Sequence, residues 1–218
     1  ACREACGGLG YLSESHFGSL KADTDIFTTF EGANLVLYQL VAKGLLSRFK
    51  EEMGDLSLWR ALRYLGERAE TSLTELNPLI TRRTDGEHLM DPSFHLAALE
   101  YREERLLRSV ATRIRARLRD GMPSTRAINE VQDHLVSLSK AHIERVILEH
   151  FQEAREAAEA VETSTRKAEV AALTSVCSLF GLSRIEADRG WFLESGYLEA
   201  NKSRAIRTGE NTLCSEVS

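Results

Sequence analysis

Helix-breaking residues are scarce: 218 residues contain three prolines, Pro78, Pro92 and Pro123. Proline removes a helix donor and clashes with the preceding turn. No sustained alternation of apolar and polar residues marks a strand either, so the chain reads as all-α, a helical bundle. Cysteine is also sparse. Cys2, Cys6, Cys177 and Cys214 match neither a zinc ribbon nor a C-x-x-C pair, so reduced thiols and no metal site are expected. Cys2 and Cys6, four apart on an expected helix, should pack. No stretch approaches the roughly 18 consecutive apolar residues of a membrane helix, so no membrane span is expected. Positive charge is lacking overall. A net charge of −5 argues against a nucleic-acid partner, which needs a basic surface to displace phosphate counterions. G-x-S-x-G, P-loop and H-E-x-x-H motifs are absent.

What remains is an ordinary core-forming composition, 43% hydrophobic, arranged in helical periods. Residues 1–6 read as the last turn of a helix whose earlier part is missing, which suggests a fragment of something longer. Gly7-Gly8-Leu9-Gly10 ends that turn, and a loop of about twenty residues is expected after it. Leu35, Tyr38, Ala42, Leu45 and Phe49 then recur at three- and four-residue steps, and Gly54-Asp55 stops this helix. Leu58, Leu62, Leu65 and Leu73 predict another over 57–76, closed by Asn77-Pro78. The polar, turn-prone segment 81–92 predicts a linker between a unit spanning 1–80 and one spanning 93–218. In the second unit four helices are expected, over 93–119, 125–160, 164–180 with Gly181 as C-cap, and 200–216 after an aromatic turn at 190–197.

The candidate chemistry centres on Phe27-Thr-Thr-Phe-Glu31-Gly-Ala-Asn-Leu35. Thr28-x-x-Glu31 fits a capping box, in which Glu31 satisfies a free N–H and does nothing else. The same carboxylate, near the positive end of a helix, stays ionised and can serve as a general base. Local pattern favours the cap. The arginines between Arg105 and Arg119 suggest a nucleic-acid or lipid contact, but Glu100, Glu103 and Glu104 beside them favour a solvated, ion-paired face. His142 lies in an apolar stripe with no metal-type partner, as a core or interface histidine does. The aromatic segment from Asp188 to Tyr197 fits a plug at the end of the core better than a ligand wall. Glu194 has no evident partner as a second acid. The Gly7-Gly8-x-Gly10 segment follows a helix rather than a strand, so it is no Rossmann fingerprint.

Taken together, Ala5-Cys6-Gly7-Gly8-Leu9-Gly10-Tyr11 and, some twenty residues on, Phe30-Glu31-Gly32-x-Asn34 resemble the carboxyl-terminal half of the acyl-CoA dehydrogenase and oxidase superfamily. The long helical extension, through Ser139-Lys-Ala-His142, Ser178-Leu-Phe-Gly-Leu182 and Trp191-Phe-Leu-Glu194, favours the oxidases. The implied fold is the end of the dehydrogenase-type helical domain followed by the second helical domain of the oxidases.

The resemblance implies an FAD enzyme that forms a trans double bond between C2 and C3 of a fatty acyl-CoA, with O2 reoxidising the flavin to give hydrogen peroxide. Glu31 matches the α-proton-abstracting base. Its N–H, with a flavin ribityl hydroxyl, would hold the thioester oxygen, and Gly32 beside it is a substrate contact. Gly7, Gly8 and Glu4 match the turn that touches the flavin of a neighbouring subunit, and Asn34 matches a position near the flavin. Where many oxidases read Glu-Gly-Glu-Asn-Thr this chain has Glu31-Gly-Ala-Asn-Leu35, so polar contacts from residues 33 and 35 do not carry over. The family's amino-terminal helical and β-domains, which hold most of the flavin, lie outside this chain. A homodimer is implied for the intact enzyme. The chain alone is expected to be inactive and to lack FAD. Alternatives are a long-chain acyl-CoA dehydrogenase served by an electron-transfer flavoprotein, and a non-catalytic helical interaction module. With no signal peptide or C-terminal peroxisomal tripeptide read, a cytoplasmic, prokaryotic protein is expected.

Overall fold

The computed structural model describes residues 4, 6–54, 82–160 and 167–217, and every regular element among them is helical. Two short 3-10 turns, Gly7–Tyr11 and Ser13–Ser15, precede α1 (Phe17–Phe27) and α2 (Asn34–Gly54). Then come the one-turn α3 (Gly86–Leu89), α4 (Pro92–Arg119), α5 (Ser124–Asn129) and α6 (Gln132–Glu159). The last three are α7 (Lys167–Ala187), α8 (Arg189–Glu194) and α9 (Ala200–Val217). The helix expected over 57–76 lies outside the described residues, as does Cys2.

Local chemistry sets the ends of α4. The Asp91 carboxylate accepts the Ser93 N–H at 2.9 Å, and Pro92 follows at the first helical position, where a missing N–H costs nothing. At the other end Gly121 takes a φ of 83°, a conformation that side chains resist.

The helices α4, α6, α7 and α9 pack on one another around a core of Phe94, Leu99, Leu148, Leu182, Ile185 and Ile206, closed at one end by Phe192 and Tyr197. Full burial of each such side chain is worth about 1.5–3 kcal/mol. A second cluster joins Ala42 and Leu45 of α2 to Val110, Val131, Leu135 and Leu138, which seats α2 against α4 and α6. The Ser139 hydroxyl adds a bond to the Tyr38 carbonyl across that contact.

Arg102 is buried within the bundle and bonds both Glu144 of α6 and Asp188 before α8. His142 bonds Glu103 at 2.9 Å, and Arg145 takes the other oxygen of the same carboxylate. The expected interface histidine thus ties α6 to α4. The segment from Arg82 is held on α9 by Arg82–Glu199 and by His88, whose Nε2 lies 2.9 Å from the Lys202 Nζ.

Several expectations are corrected. The twenty-residue loop is instead the two 3-10 turns and α1, a helix with no buried residue, whose apolar side chains Leu20, Ile26 and Phe27 are exposed. Cys6 is exposed rather than packed. The helix expected over 125–160 is interrupted at Glu130-Val131, where Val131 leaves helical geometry (φ −123°) and inserts, fully buried, into the second cluster.

Gly181 does not cap a helix, because α7 runs through it to Ala187. A Cβ there would meet His95 at 2.8 Å, so glycine is required by close packing, not by a turn. The aromatic segment is the short helix α8, and its rings do plug the core: Tyr101 to Tyr197 is 4.5 Å and Phe192 to Tyr197 is 5.6 Å between centroids. One described helix, Glu169–Ala187, is long and apolar enough by length and composition to cross a membrane, with mean hydropathy 1.3. It also supplies Cys177, Leu182 and Ile185 to the core.

Candidate active site

Glu31 sits in a tight reversal between α1 and α2. α1 unwinds as the Thr28, Thr29 and Phe30 N–H groups donate to Asp25 and Ile26 carbonyls, and the Gly32 N–H donates to Thr29 at 3.0 Å. Gly32, with φ 113°, then turns the chain into α2, whose first N–H groups, Val36 and Leu37, donate to the Ala33 carbonyl. The capping box does not form. The Thr28 hydroxyl donates backward to the Asp25 carbonyl at 2.7 Å, and α2 starts three residues beyond Glu31.

The consequence is an uncommitted carboxylate. Glu31 is exposed, and among the described residues its side chain accepts no hydrogen bond and its N–H donates to no backbone carbonyl. Both groups sit on an exposed turn that Gly32 makes possible, close to the positive end of the α2 dipole. Asn34, the first residue of α2, is exposed beside them.

The glycine segment lies at the other end of α1. Gly7 takes a φ of 53°, and no described residue beyond its chain neighbours comes within 4 Å of a Cβ built at Gly7 or Gly8, so their backbone is open to an approaching group. Glu4 is exposed and helical one turn earlier. The eleven residues of α1 put about 16 Å of helix axis between this segment and Glu31.

Around them lies much of the exposed apolar surface of the described residues. Among the described residues, ten of the fifteen exposed large hydrophobic side chains fall between Leu9 and Leu40, including Tyr11 at 71%, Phe27 at 69% and Phe30 at 61% exposed. A continuous stretch of that kind signals a surface that contacts something else.

Glu31 lines neither of two larger concavities. A groove of about 740 Å³ between α2, α4 and α6 is lined by Leu46, Phe49, Ile114, Leu118 and Ile128. A cleft of about 560 Å³ between α4 and α8 contains Glu194 among arginines rather than beside a second acid. No group of three or more metal-type ligands occurs among the described residues.

Pattern reading missed one buried polar cluster. The Lys202 ammonium lies 4.0 Å from the Phe94 ring centre and contacts His88. Burial, helped by the Lys202 charge, pushes the His88 imidazole down to about 4. A lysine in an otherwise polar stretch of α9 carried no signal of burial.

With the geometry in place, comparison with known proteins decides the family. The acyl-CoA oxidase family model matches residues 91–218. The chain belongs to the acyl-CoA oxidase family. A second model, the C-alpha1 domain of acyl-CoA oxidase, matches residues 1–46, which include the glycine segment and Glu31. "Acyl-coenzyme A oxidase 2, peroxisomal" of Arabidopsis thaliana is 42% identical over 205 residues, covering 94% of this chain and 29% of the relative. The acyl-coenzyme A oxidase-like protein of Mus musculus is 35% identical over 99% of this chain and 33% of its own length. The crystal structure of acyl-CoA oxidase 3 from Yarrowia lipolytica superposes with a TM-score of 0.79 at 25% identity, over 99% of this chain and 29% of that one. The Arabidopsis thaliana acyl-CoA oxidase 1 structure gives 0.79 at 22% identity, covering 99% of this chain and 31% of that one, a likeness of fold. The chain thus spans about a third or less of the relatives it matches.

Proposed function

We propose that this chain is the carboxyl-terminal helical portion of an FAD-dependent acyl-CoA oxidase, which converts a fatty acyl-CoA and O2 to the trans-2-enoyl-CoA and hydrogen peroxide. The observation that carries the reading is Glu31. A carboxylate with no hydrogen bond among the described residues and an N–H given to no backbone carbonyl stand on one exposed turn, inside the segment matched by the C-alpha1 family model.

In this reading the Glu31 carboxylate takes the proton from the α-carbon, while its N–H donates to the thioester oxygen as negative charge develops there. Gly32 keeps the turn tight enough for one residue to present both groups and lies against the thioester. Base assistance of this kind contributes on the order of 10²–10⁴-fold. FAD, when bound, would supply the hydride acceptor for the β-carbon and the two-electron route to O2.

The open backbone at Gly7 and Gly8, with Glu4 and Asn34, fits a contact with one side of the cofactor. None of the four encloses it. The helix length between the glycine segment and Glu31 favours a homodimer in which each copy's glycines reach the flavin serving the other copy's base. The exposed stretch from Leu9 to Leu40 then packs on amino-terminal helical and β-domains and on the second copy. The division into a unit of 1–80, a linker of 81–92 and a helical domain of 93–218 belongs to this reading. The expected cytoplasmic, prokaryotic setting gains no support, because the Arabidopsis relative is named as peroxisomal.

Because the chain contacts the cofactor from one side only, FAD added to the isolated chain binds weakly or not at all, and the chain alone shows no oxidase activity. Flavin fluorescence on titration tests this; tight stoichiometric quenching would overturn it. Stoichiometric peroxide from acyl-CoA by the full-length protein separates an oxidase from a dehydrogenase served by an electron-transfer flavoprotein.

A further inference from the structure

The arginine face of α4 has a use that solvation does not explain. We propose that the cleft between α4 and α8 binds a nucleotide-type small molecule, a phosphate joined to a planar ring. At about 560 Å³ the cleft falls within the range of small-molecule sites, about 300–1,000 Å³.

One wall is a phosphate-type donor array. Arg105, Arg108, Ser109, Thr112 and Arg113 line the cleft, at spacings that put them on one face of α4. Elsewhere on this helix Arg102 pairs with Glu144 and Asp188 and Arg117 with Glu130, while Arg115 and Arg119 have no carboxylate partner among the described residues. In the cleft, Arg108 pairs with Glu104 at 3.2 Å. Arg105 and Arg113 have no carboxylate partner among the described residues. The Arg113 Nε donates to the Ser109 hydroxyl at 3.3 Å, and its two terminal nitrogens bond no described carboxylate. A planar guanidinium fork matches phosphate oxygens two at a time.

The opposite wall is a ring. Trp191 lines the cleft and is fixed edge-on by Tyr101 at 5.9 Å and Phe192 at 5.2 Å, so little freedom is lost when a planar group stacks on it. Stacking on an aromatic side chain is worth about 1–3 kcal/mol per base.

Leu106, Glu194 and Ser195 complete the lining, and the two polar residues set the selectivity. The Glu194 carboxylate repels a bare anion but accepts from a sugar hydroxyl or a ring amine, which favours a nucleotide over free phosphate. A polynucleotide is disfavoured by the overall charge of −5, since backbone tracking needs a basic surface far wider than one helix face.

The test is calorimetric titration of the full chain with adenosine monophosphate, inorganic phosphate and adenosine. The monophosphate is expected to bind at least tenfold more tightly than either component. R105A/R113A, at two exposed positions, should weaken it at least tenfold with an unchanged circular-dichroism melt, and W191L should bring it down toward the phosphate value. Saturating FAD should leave binding intact. Equal binding of nucleotide and phosphate, insensitivity to R105A/R113A or to W191L, or displacement by FAD would each overturn the proposal.

Discussion

Gly181 gives the sharpest test of how the bundle is packed. It lies inside α7, where replacing glycine by alanine ordinarily stabilises a helix by about 1 kcal/mol. Here the added Cβ would fall 2.8 Å from the Cβ and Cγ of His95 and 3.0 Å from its Nδ1. His95 cannot easily give way. It is fully buried, and its Nε2 is anchored to the Leu89 carbonyl at 2.7 Å. Overpacking of this kind costs about 1–3 kcal/mol, so G181A should be neutral to about 2 kcal/mol destabilised. Gly44, within α2 with nothing inside 4 Å of its built Cβ, supplies the contrast, and G44A should be stabilised by about 0.5–1 kcal/mol. Urea titrations followed by circular dichroism at 222 nm compare the two midpoints. If G181A matched G44A, the close approach of α7 to His95 would be refuted.

R102M, which removes the buried guanidinium that joins Glu144 and Asp188, should lower the unfolding free energy by about 3 kcal/mol. That is the low end for breaking a buried pair, because Asp188 is half exposed. D91A removes the acceptor for the Ser93 N–H at the start of α4 and should cost about 1 kcal/mol, read from the same urea titration. Stability should also fall on mild acidification. His88 is pushed down to about 4 from its ordinary 6.5 and His95 is lowered in the same direction, in both cases chiefly by burial. The unfolded chain therefore binds protons first, and stability present at neutral pH is lost as the pH falls from about 6.5 through 4. Midpoints measured at pH 7 and pH 5 should differ by less in H88Q than in the parent protein.

How much of this was legible depended on whether a feature was local. The expected 93–119 helix falls on Pro92–Arg119, because Asp91-Pro92 and Asp120-Gly121 carry their own capping chemistry. The expected 200–216 helix likewise falls on Ala200–Val217. α1 was missed: its apolar residues, Leu20, Ile26 and Phe27 among them, are exposed, and the helix forms without burying any of its residues within the described chain.

Gly181 misled for a different reason. Glycine marks both helix ends and close helix contacts, and only the position of His95 tells them apart. At the candidate site, the pattern Thr28-x-x-Glu31 pointed to a capping box, yet Thr28 bonds backward into α1 and α2 starts at Asn34. Uncapped, Glu31 loses the structural role that local pattern had favoured for it. The pairing state of Arg105 and Arg113, and the burial of Lys202 against Phe94, depend on partners far away in sequence and leave no local signature.

The most direct measurement for the central claim is the turnover of E31Q in the full-length protein, with peroxide formation from a fatty acyl-CoA followed at matched flavin content. Glu31 is exposed and bonds no described residue, so the substitution should leave the melting temperature unchanged while kcat/KM falls by about 10²–10⁴-fold. Near-normal turnover by a folded, flavin-loaded E31Q would contradict the assignment and leave Glu31 as a turn residue only.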